Sequence, residues 1–145
     1  MPPFSVSAVP VERILPLRHA VLRAGLPFDA ARFDGDDEPD ALHLAALHDG
    51  DVIGCATLIS RPLDDAPARQ LRGMATDPAW RGRGAGRALL EEVHRHAGTA
   101  TLWCNARLPA VPFYQRLGWR IISDRFDVPT AGPHHRMRRD PTGTT

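Results

Sequence analysis

The stretch WRGRGAGRALLEEVHRHA, residues 80–97, decides the fold prediction, because a loop rich in glycine and arginine runs directly into a strong helical pattern. Glycine lets the backbone turn sharply and approach a bound group closely. Behind the loop, Leu89, Leu90, Val93 and Ala97 recur at helical spacing and predict a helix with one inward apolar face. The segment therefore indicates free backbone amides at a helix start, a setting in which proteins bind anions.

Two common glycine-rich phosphate motifs do not fit this loop. A Walker loop needs a lysine, and all 18 basic residues of the chain are arginine. The dinucleotide fingerprint GxGxxG fails in both frames, because its sixth position falls on Arg87 or Leu89. The remaining interpretation is a diphosphate held by consecutive backbone amides. Three arginines add positive charge there: Arg81, Arg83 and Arg87.

The composition is that of one ordinary globular domain, which we predict to span residues 1–145. A net charge of +1 gives no case for binding nucleic acid or a membrane surface. The start of the chain has no signal-peptide pattern and no apolar run is long enough to cross a bilayer, so we expect a cytoplasmic protein. Cys55 and Cys104 lie in apolar runs outside any CxxC pattern, which predicts reduced buried thiols and no metal site.

Alternation and helical periodicity give the order of elements along the chain. The order predicts an α/β fold: a mixed, mostly antiparallel sheet with a central parallel β-α-β unit. Pro16 is expected to delay or kink the first helix. The predicted elements are a strand at 3–9, a helix at 11–25, hairpin strands near 42–48 and 52–60, a strand at 70–76, a helix ending near 97, a strand at 99–105, a short helix at 108–117, a strand at 119–123 and a last edge strand at 134–139.

The loop and its flanks resemble the GCN5-related N-acetyltransferase (GNAT) superfamily. Its coenzyme A signature, Arg/Gln-x-x-Gly-x-Gly/Ala, is matched by Arg81, Gly84 and Gly86. The family's strand ending in an apolar triplet and Asp-Pro is similar to residues 74–78. Its later Asn, Phe-Tyr and Gly-Trp positions are matched by Asn105, Phe113-Tyr114 and Gly118-Trp119. The resemblance covers residues 42–139.

The resemblance implies that acetyl-CoA lies in a gap between two splayed parallel strands, 70–76 and 99–105. Backbone amides near Met74 and Thr76 would bind the pantetheine arm, and those from Arg81 to Arg87 would hold the diphosphate. The implied cofactor-binding residues are Met74, Ala75, Thr76, Arg81, Gly82, Arg83, Gly84, Ala85, Gly86, Arg87 and Asn105.

The resemblance also assigns part of the chemistry. Tyr114 matches the family's usual acid, which protonates the departing thiolate. Many relatives carry a glutamate base on the strand before the loop, but here that strand reads Gln-Leu-Arg-Gly, so the role does not carry over. His134 is the best remaining candidate base because histidine transfers protons near neutral pH, with His43, Asp36 and Asp37 behind it and a water chain as an alternative.

The acceptor side is less defined in the sequence. Asp36, His43, Cys104 and Arg107 are the candidate substrate residues, with Cys104 interpreted as a pocket thiol and not a nucleophile. Asn105 is also a candidate for the acceptor side. If the acidic run at 34–40 folds over the pocket, it would favour a cationic acceptor.

The resemblance therefore implies an acetyl-CoA-dependent N-acetyltransferase that acts directly on a primary amine of a small molecule or an amino terminus, without an acyl-enzyme. Two alternatives stay open: a non-catalytic acyl-CoA-binding sensor on the same fold, and a module that binds nucleotide phosphates. The expected partner is a small-molecule amine or peptide, and because many relatives dimerise, a homodimer also stays open.

Overall fold

The computed structural model describes residues 3–129 and 131–141, and within them eight strands form one sheet. Short 3-10 helices precede or connect several elements, at Phe28–Ala31, Pro78–Trp80 and Leu108–Ala110. The strands are β1 (Ser5–Ala8), β2 (Leu42–His48), β3 (Asp51–Ser60), β4 (Arg69–Thr76), β5 (Leu102–Arg107), β6 (Arg120–Ile121), β7 (Phe126–Val128) and β8 (Gly132–Arg139). The α-helices are α1 (Val11–Leu22), α2 (Ala85–Ala97) and α3 (Val111–Arg116).

The strand order is β1-β2-β3-β4-β5-β8-β6, with β7 paired to β8. Pairs β1–β2, β2–β3, β5–β8, β6–β8 and β7–β8 run antiparallel. The β4–β5 pair runs parallel, and its described register has two residue pairs, Arg69 with Leu102 and Gln70 with Trp103. A parallel pair needs a crossover, which α2 provides. The predicted mixed sheet with a central β-α-β unit is confirmed.

The chain forms two compact units, the first comprising residues up to Ile59 together with Leu71–His96. Its core packs the apolar face of α1 against β2, β3 and β4. Ile14 is fully buried, and Pro16 lies inside the helix on its exposed side. The helix begins at Val11, so the expected late start is wrong. The core cluster comprises Val11, Ile14, Leu15, Ala31, Ala45, Cys55 and Ala75.

The second unit comprises Ser60–Gln70 and the residues from Ala97 onward. Strand β8 runs beside β5 along six register pairs, from Leu102 with Arg139 to Arg107 with His134. Leu102 on β5 and Met137 on β8 are fully buried. The single-domain prediction for 1–145 stays a prediction.

Two details of the predicted sheet are wrong. The last strand is not an edge strand, because β8 pairs with β5 on one side and with β6 and β7 on the other. The sequence also gave no sign of β7, which has only three residues and lies in a turn-rich segment. Within the described residues, no helix combines the length and apolar character that a membrane crossing requires.

Candidate functional site

The glycine loop begins immediately after β4 and is anchored by Asp77. The Asp77 carboxylate accepts a hydrogen bond from the Ala79 amide at 2.9 Å, and its own amide donates to the Ile53 carbonyl at 2.8 Å. Gly82 and Gly84 then adopt left-handed backbone angles, with φ of 77° and 90°. A Cβ at either position would meet nothing within 4 Å. Glycine is needed here for the turn itself, and the space above the loop is open.

Helix α2 starts at Ala85, directly after Gly84, so its first backbone amides lie next to the loop. The first of them with a carbonyl partner is that of Ala88, which donates to Gly84 at 3.0 Å. The amides before it have no intrahelical acceptor, and the positive end of the helix dipole lies there. The first turn contains no acidic residue. The loop therefore fits an anion.

Arginine side chains surround the loop, as the sequence predicted. Arg81, Arg83 and Arg87 are exposed, and the Arg83 guanidinium lies 5.1 Å from the Trp80 ring centroid. The Arg87 Nε is 3.3 Å from the Glu91 carboxylate, one helical turn along α2. An exposed ion pair of this kind is weak, so Arg87 is readily available to a stronger anionic partner.

The inward face of α2 packs into the core of the first unit and so holds the start of the helix, and the loop before it, in place. Leu89, Leu90 and Val93 are fully buried, which confirms the predicted apolar face. A Cβ on Gly54 of β3 would lie 3.0 Å from the Leu89 side chain and 3.5 Å from the Ala75 carbonyl oxygen. The helix, β3 and the end of β4 are therefore packed closely. Among the predicted pantetheine-binding residues Ala75 is buried, while Met74 and Thr76 are partly exposed.

In the second unit, the structure joins two predicted site residues, Tyr114 on α3 and Cys104 on β5. Tyr114 is 6% exposed and its ring contacts Phe113 and Trp119 at centroid distances of 5.3 and 5.2 Å. Burial and a side-chain hydrogen bond with Cys104 raise the pKa of Tyr114 well above its usual value near 10. The phenol is therefore protonated at neutral pH, although the same burial makes it a weaker acid than an exposed tyrosine.

Both cysteines are free and buried, as predicted. Burial raises the pKa of Cys104 to about 12, and it raises the pKa of Cys55 to about 11. A thiol acts as a nucleophile only as thiolate. The structure thus argues against an acyl-enzyme on Cys104.

His134 lies on β8 and is 6% exposed, with its ring stacked on Phe126 at a centroid distance of 5.9 Å. Its Nδ1 is 2.8 Å from the Gly132 carbonyl oxygen. A carbonyl only accepts, so Nδ1 carries the proton and Nε2 of the neutral ring carries the lone pair. This tautomer is the one that a general base on Nε2 needs.

The pleat of β5 separates the candidate residues of the second unit into two groups. Side chains alternate between faces, so Cys104 lies on one face and Asn105 and Arg107 on the other. Arg107 is directly opposite His134 in the β5–β8 register, which places these two side chains on the same face. The Asn105 Oδ1 accepts from the Arg136 Nε at 3.2 Å. Cys104 and Arg107 therefore do not line one surface. The two predicted catalytic residues are separated in the same way, since His134 lies on the Arg107 face and Tyr114 contacts Cys104 on the other.

Asp36 and His43 belong to a buried network in the first unit. The Asp36 carboxylate pairs with Arg18 at 2.6 Å and accepts from the Phe33 amide at 2.7 Å. The His43 Nδ1 is 2.8 Å from the Thr57 hydroxyl, and its Nε2 is 3.0 Å from the Asp36 carbonyl oxygen. Since the Asp36 carboxylate and both His43 ring nitrogens are occupied, the network favours structural roles for the two residues. Asp37 is exposed and pairs with Arg32 at 2.9 Å.

Sequence reasoning missed the centre of this network. Arg18 is fully buried and donates to the Ala31 carbonyl, to Asp36 and to the Thr57 hydroxyl. One signal was available: Arg18 follows Ile14 by one helical turn, so it lies on the apolar stripe of α1. In the described part of the chain, no group of three or more metal-ligating side chains occurs.

Comparison with known proteins gives the family. The acetyltransferase (GNAT) domain matches residues 39–121. An uncharacterised N-acetyltransferase of Bacillus subtilis, YitI, is 33% identical over 135 residues, which cover 89% of this chain and 91% of that protein.

Solved structures show the same fold. ElaA of Escherichia coli matches with a TM-score of 0.80 at 18% identity, covering 94% of this chain and 99% of its own. An aminoglycoside 6'-N-acetyltransferase complexed with coenzyme A matches with a TM-score of 0.76 at 13% identity, covering 97% and 99% of the two chains. With the domain match extending over most of the sheet and α2, the chain belongs to the GNAT superfamily of acetyltransferases.

Proposed function

We propose that the protein transfers an acetyl group from acetyl-CoA directly to a primary amine of a small molecule or an amino terminus. The observation that carries the proposal is the open left-handed loop at Gly82 and Gly84, which precedes unpaired helical amides and exposed arginines. The CoA complex of the structurally similar aminoglycoside acetyltransferase supports the choice of cofactor. Relatives named as N-acetyltransferases favour an enzyme over a non-catalytic sensor.

The residues of the first unit fit a diphosphate. Amides from Gly82 to Arg87 would hold it, because the Arg81 amide, which was also predicted to bind, already donates to the Pro78 carbonyl at 3.4 Å. The side chains of Arg81 and Arg83 would contribute charge-assisted hydrogen bonds. The Met74–Thr76 backbone would hold the pantetheine arm. When bound, acetyl-CoA supplies the acetyl group as an activated thioester.

The residues of the second unit divide the proton transfers between them. Only the neutral amine attacks a carbonyl, so the ammonium form of the acceptor must lose a proton. Because His134 lies on the face of the β5–β8 pair opposite to Cys104 and Tyr114, its Nε2 would take that proton through a chain of water molecules. The Tyr114 phenol, held protonated by burial, gives its proton to the leaving thiolate. The high pKa of Cys104 keeps that thiol out of the acyl transfer.

Cofactor binding can be tested at Gly84. Gly84→Glu adds bulk and a negative charge where the diphosphate is expected, so CoA affinity measured by calorimetry should fall at least about tenfold. Gly98→Glu is the matched control, because Gly98 is also left-handed and open but lies at the other end of α2. Equal CoA affinity in the wild type and Gly84→Glu would argue that the loop is not the diphosphate site.

Turnover can be tested with acceptor amines (polyamines, amino acids, aminoglycosides and peptides), with free CoA thiol as the readout. Amine-dependent thiol release supports the transferase. CoA binding without release for any acceptor supports the sensor. ADP binding as tight as CoA binding would instead support a module that recognises nucleotide phosphates alone.

A further inference from the structure

One face of the β5–β8 pair brings two arginines together with the proposed base. The register places Asn105 opposite Arg136 and Arg107 opposite His134, so the alternation of side chains puts all four residues on the same face. These four residues are called the Arg107 face below. Diagonal neighbours in an antiparallel pair are about 7–8 Å apart, which is within reach of long side chains. The guanidinium groups of Arg107 and Arg136 can therefore contact the same bound group.

The positive charge of the Arg107 face is not neutralised by its neighbours on the sheet. Among the described strand residues that the registers place on this face, none is acidic; they include Gln70 on β4, Trp103 on β5, Arg138 on β8, Arg120 on β6, and Phe126 and Val128 on β7. The carboxylate that follows β8, Asp140, pairs with Arg138 at 2.7 Å and with Arg120 at 3.2 Å. Within the described residues, Arg107 makes no hydrogen bond or ion pair, and Arg136 donates only to a neutral amide. Two guanidinium charges thus have no counter-ion there.

The Arg136 guanidinium is held in one orientation by two neighbours. Its Cζ lies 4.7 Å from the Trp103 ring centroid, and its Nε donates to the Asn105 Oδ1 at 3.2 Å. The Trp103 ring is 8% exposed and is fixed in turn, because its Nε1 donates to the Arg61 carbonyl at 3.1 Å. In the described part of the chain, no acceptor binds the N–H groups on Nη1 and Nη2 of Arg136. These donors form a planar fork that is oriented in advance for an oxyanion.

The side chains of the Arg107 face are accessible to a ligand. Arg107 and Arg136 are partly exposed, and Asn105 is exposed. Because the two guanidinium groups carry like charges at neighbouring positions, they repel each other, and an anion bound between them would offset this repulsion. A hydrogen bond from an arginine to an anionic oxygen is also stronger than one to a neutral acceptor.

We infer that the Arg107 face binds an oxyanion, a carboxylate or a phosphate, carried by the acceptor amine. This inference rests on the proposed acetyltransferase function and adds the substrate class to it. Arg107 and Arg136 bind the oxyanion, and Asn105 and Trp103 orient Arg136. An acceptor held here shares a face with His134, so the water chain from its amine to Nε2 runs on one side of the β5–β8 pair.

The test uses matched acceptor pairs that differ only in the oxyanion: amino acids with their amides, and phosphoethanolamine with ethanolamine. Calorimetry on the CoA-bound protein gives the affinity, and release of the CoA thiol gives kcat/KM. We expect the anionic member of one kind of pair to bind at least about tenfold more tightly, the size of effect given by a charge-assisted hydrogen bond. The pair that shows this preference distinguishes a carboxylate from a phosphate.

Variants on the two faces of the β5–β8 pair locate the preference. Arg107→Gln and Arg136→Gln should each reduce the ratio of the two affinities at least about fivefold. Arg136→Lys, which keeps the charge but not the planar fork, should restore part of the ratio. Arg116→Gln is the matched control and should leave the ratio unchanged, because Arg116 is exposed on α3, whose Tyr114 contacts the opposite face.

The outcomes separate this inference from the proposed function. Equal affinity for both members of every pair, tighter binding of the member without the oxyanion, or no binding of any member overturns the inference. An unchanged ratio in both glutamine variants also overturns it, because the anion would then be bound elsewhere. Turnover without preference contradicts the oxyanion site and leaves the transferase standing. Anion-selective binding without turnover supports the site and contradicts the transferase.

Discussion

Arg18 and Asp36 form a buried ion pair, with Nη1 and Oδ2 2.6 Å apart and side-chain exposures of 0% and 2%. The pair joins α1 to the loop before β2. A second Arg18 nitrogen donates to Thr57 on β3, whose hydroxyl then donates to His43 on β2. Two charges out of water are tolerated only when such hydrogen bonds satisfy them, so the pair specifies how α1, the loop and both strands meet.

Removing one member of this pair should be costly. Asp36→Asn leaves the Arg18 charge buried and uncompensated, and we expect the free energy of unfolding to fall by about 3–5 kcal/mol. Urea denaturation measures it. Asp37→Asn, which breaks only the exposed pair with Arg32, should cost less than about 1 kcal/mol. Similar losses for the two variants would show that the Arg18–Asp36 pair contributes no more than a surface pair.

Gly73 tests how closely Arg18 approaches β4. Gly73→Ala introduces both left-handed strain, at φ 61°, and a contact of 2.9 Å with the Arg18 Nε. Gly25→Ala has similar strain at φ 84° but no atom within 4 Å. Strain alone costs about 1–3 kcal/mol, so the loss for Gly73→Ala should exceed that for Gly25→Ala. Equal losses in thermal denaturation would mean that Arg18 moves aside freely.

Local sequence patterns were sufficient to predict much of the fold. The spacing of Leu89, Leu90 and Val93 predicted the buried face of α2, and alternation predicted the hairpin strands near 42–48 and 52–60, which are β2 and β3. The glycine loop was predicted from the conformational needs of Gly82 and Gly84. In each case the deciding interactions lie within a few residues in the chain, so a pattern can report them.

The remaining features depend on contacts between distant residues. The polar sequence of β8 is typical of an edge strand, yet the strand is paired on both sides because β6 and β7 return to it. Arg18 and Gly73 are unusual residues for their elements, but only the fold shows that one accommodates the other. Likewise, the sequence suggested Asp36 as a substrate residue, whereas the structure pairs it with Arg18 on α1.

The buried thiols predict a loss of stability at alkaline pH. The pKa of Cys55 rises from about 9 to about 11, and that of Cys104 from about 9 to about 12. The folded state therefore retains these protons longer than the unfolded chain does, so their contribution is complete below pH 9 and is lost as pH rises toward 11 and 12. Cys55→Ala should flatten the decline in urea-measured stability across this range; an unchanged slope would contradict the shift at Cys55.

If His134 is the general base, replacing it should lower turnover without weakening the binding of acetyl-CoA. His134→Gln removes the Nε2 lone pair, and kcat should fall by about 100-fold while the affinity for acetyl-CoA is retained. Added imidazole should restore part of the rate. His135→Gln is the matched control, since its Nδ1 bonds the Ser123 carbonyl and its side chain alternates to the other face of β8. Full activity in His134→Gln would mean that a water chain, and not His134, removes the proton from the acceptor amine.

If Tyr114 is the general acid, its ionisation should limit turnover at alkaline pH. Its pKa lies well above 10, so the phenol is protonated across the neutral range and the activity it supports should decline only in strongly alkaline solution. Tyr114→Phe keeps the ring contacts with Phe113 and Trp119 but removes the proton, and kcat should fall by about 100-fold with an unchanged Kd for acetyl-CoA. Phe113→Leu, which alters the neighbouring ring and keeps the phenol, should retain most of the turnover. If Tyr114→Phe turns over at the wild-type rate in a stopped-flow thiol assay, the leaving thiolate takes its proton from elsewhere and Tyr114 is a core aromatic residue.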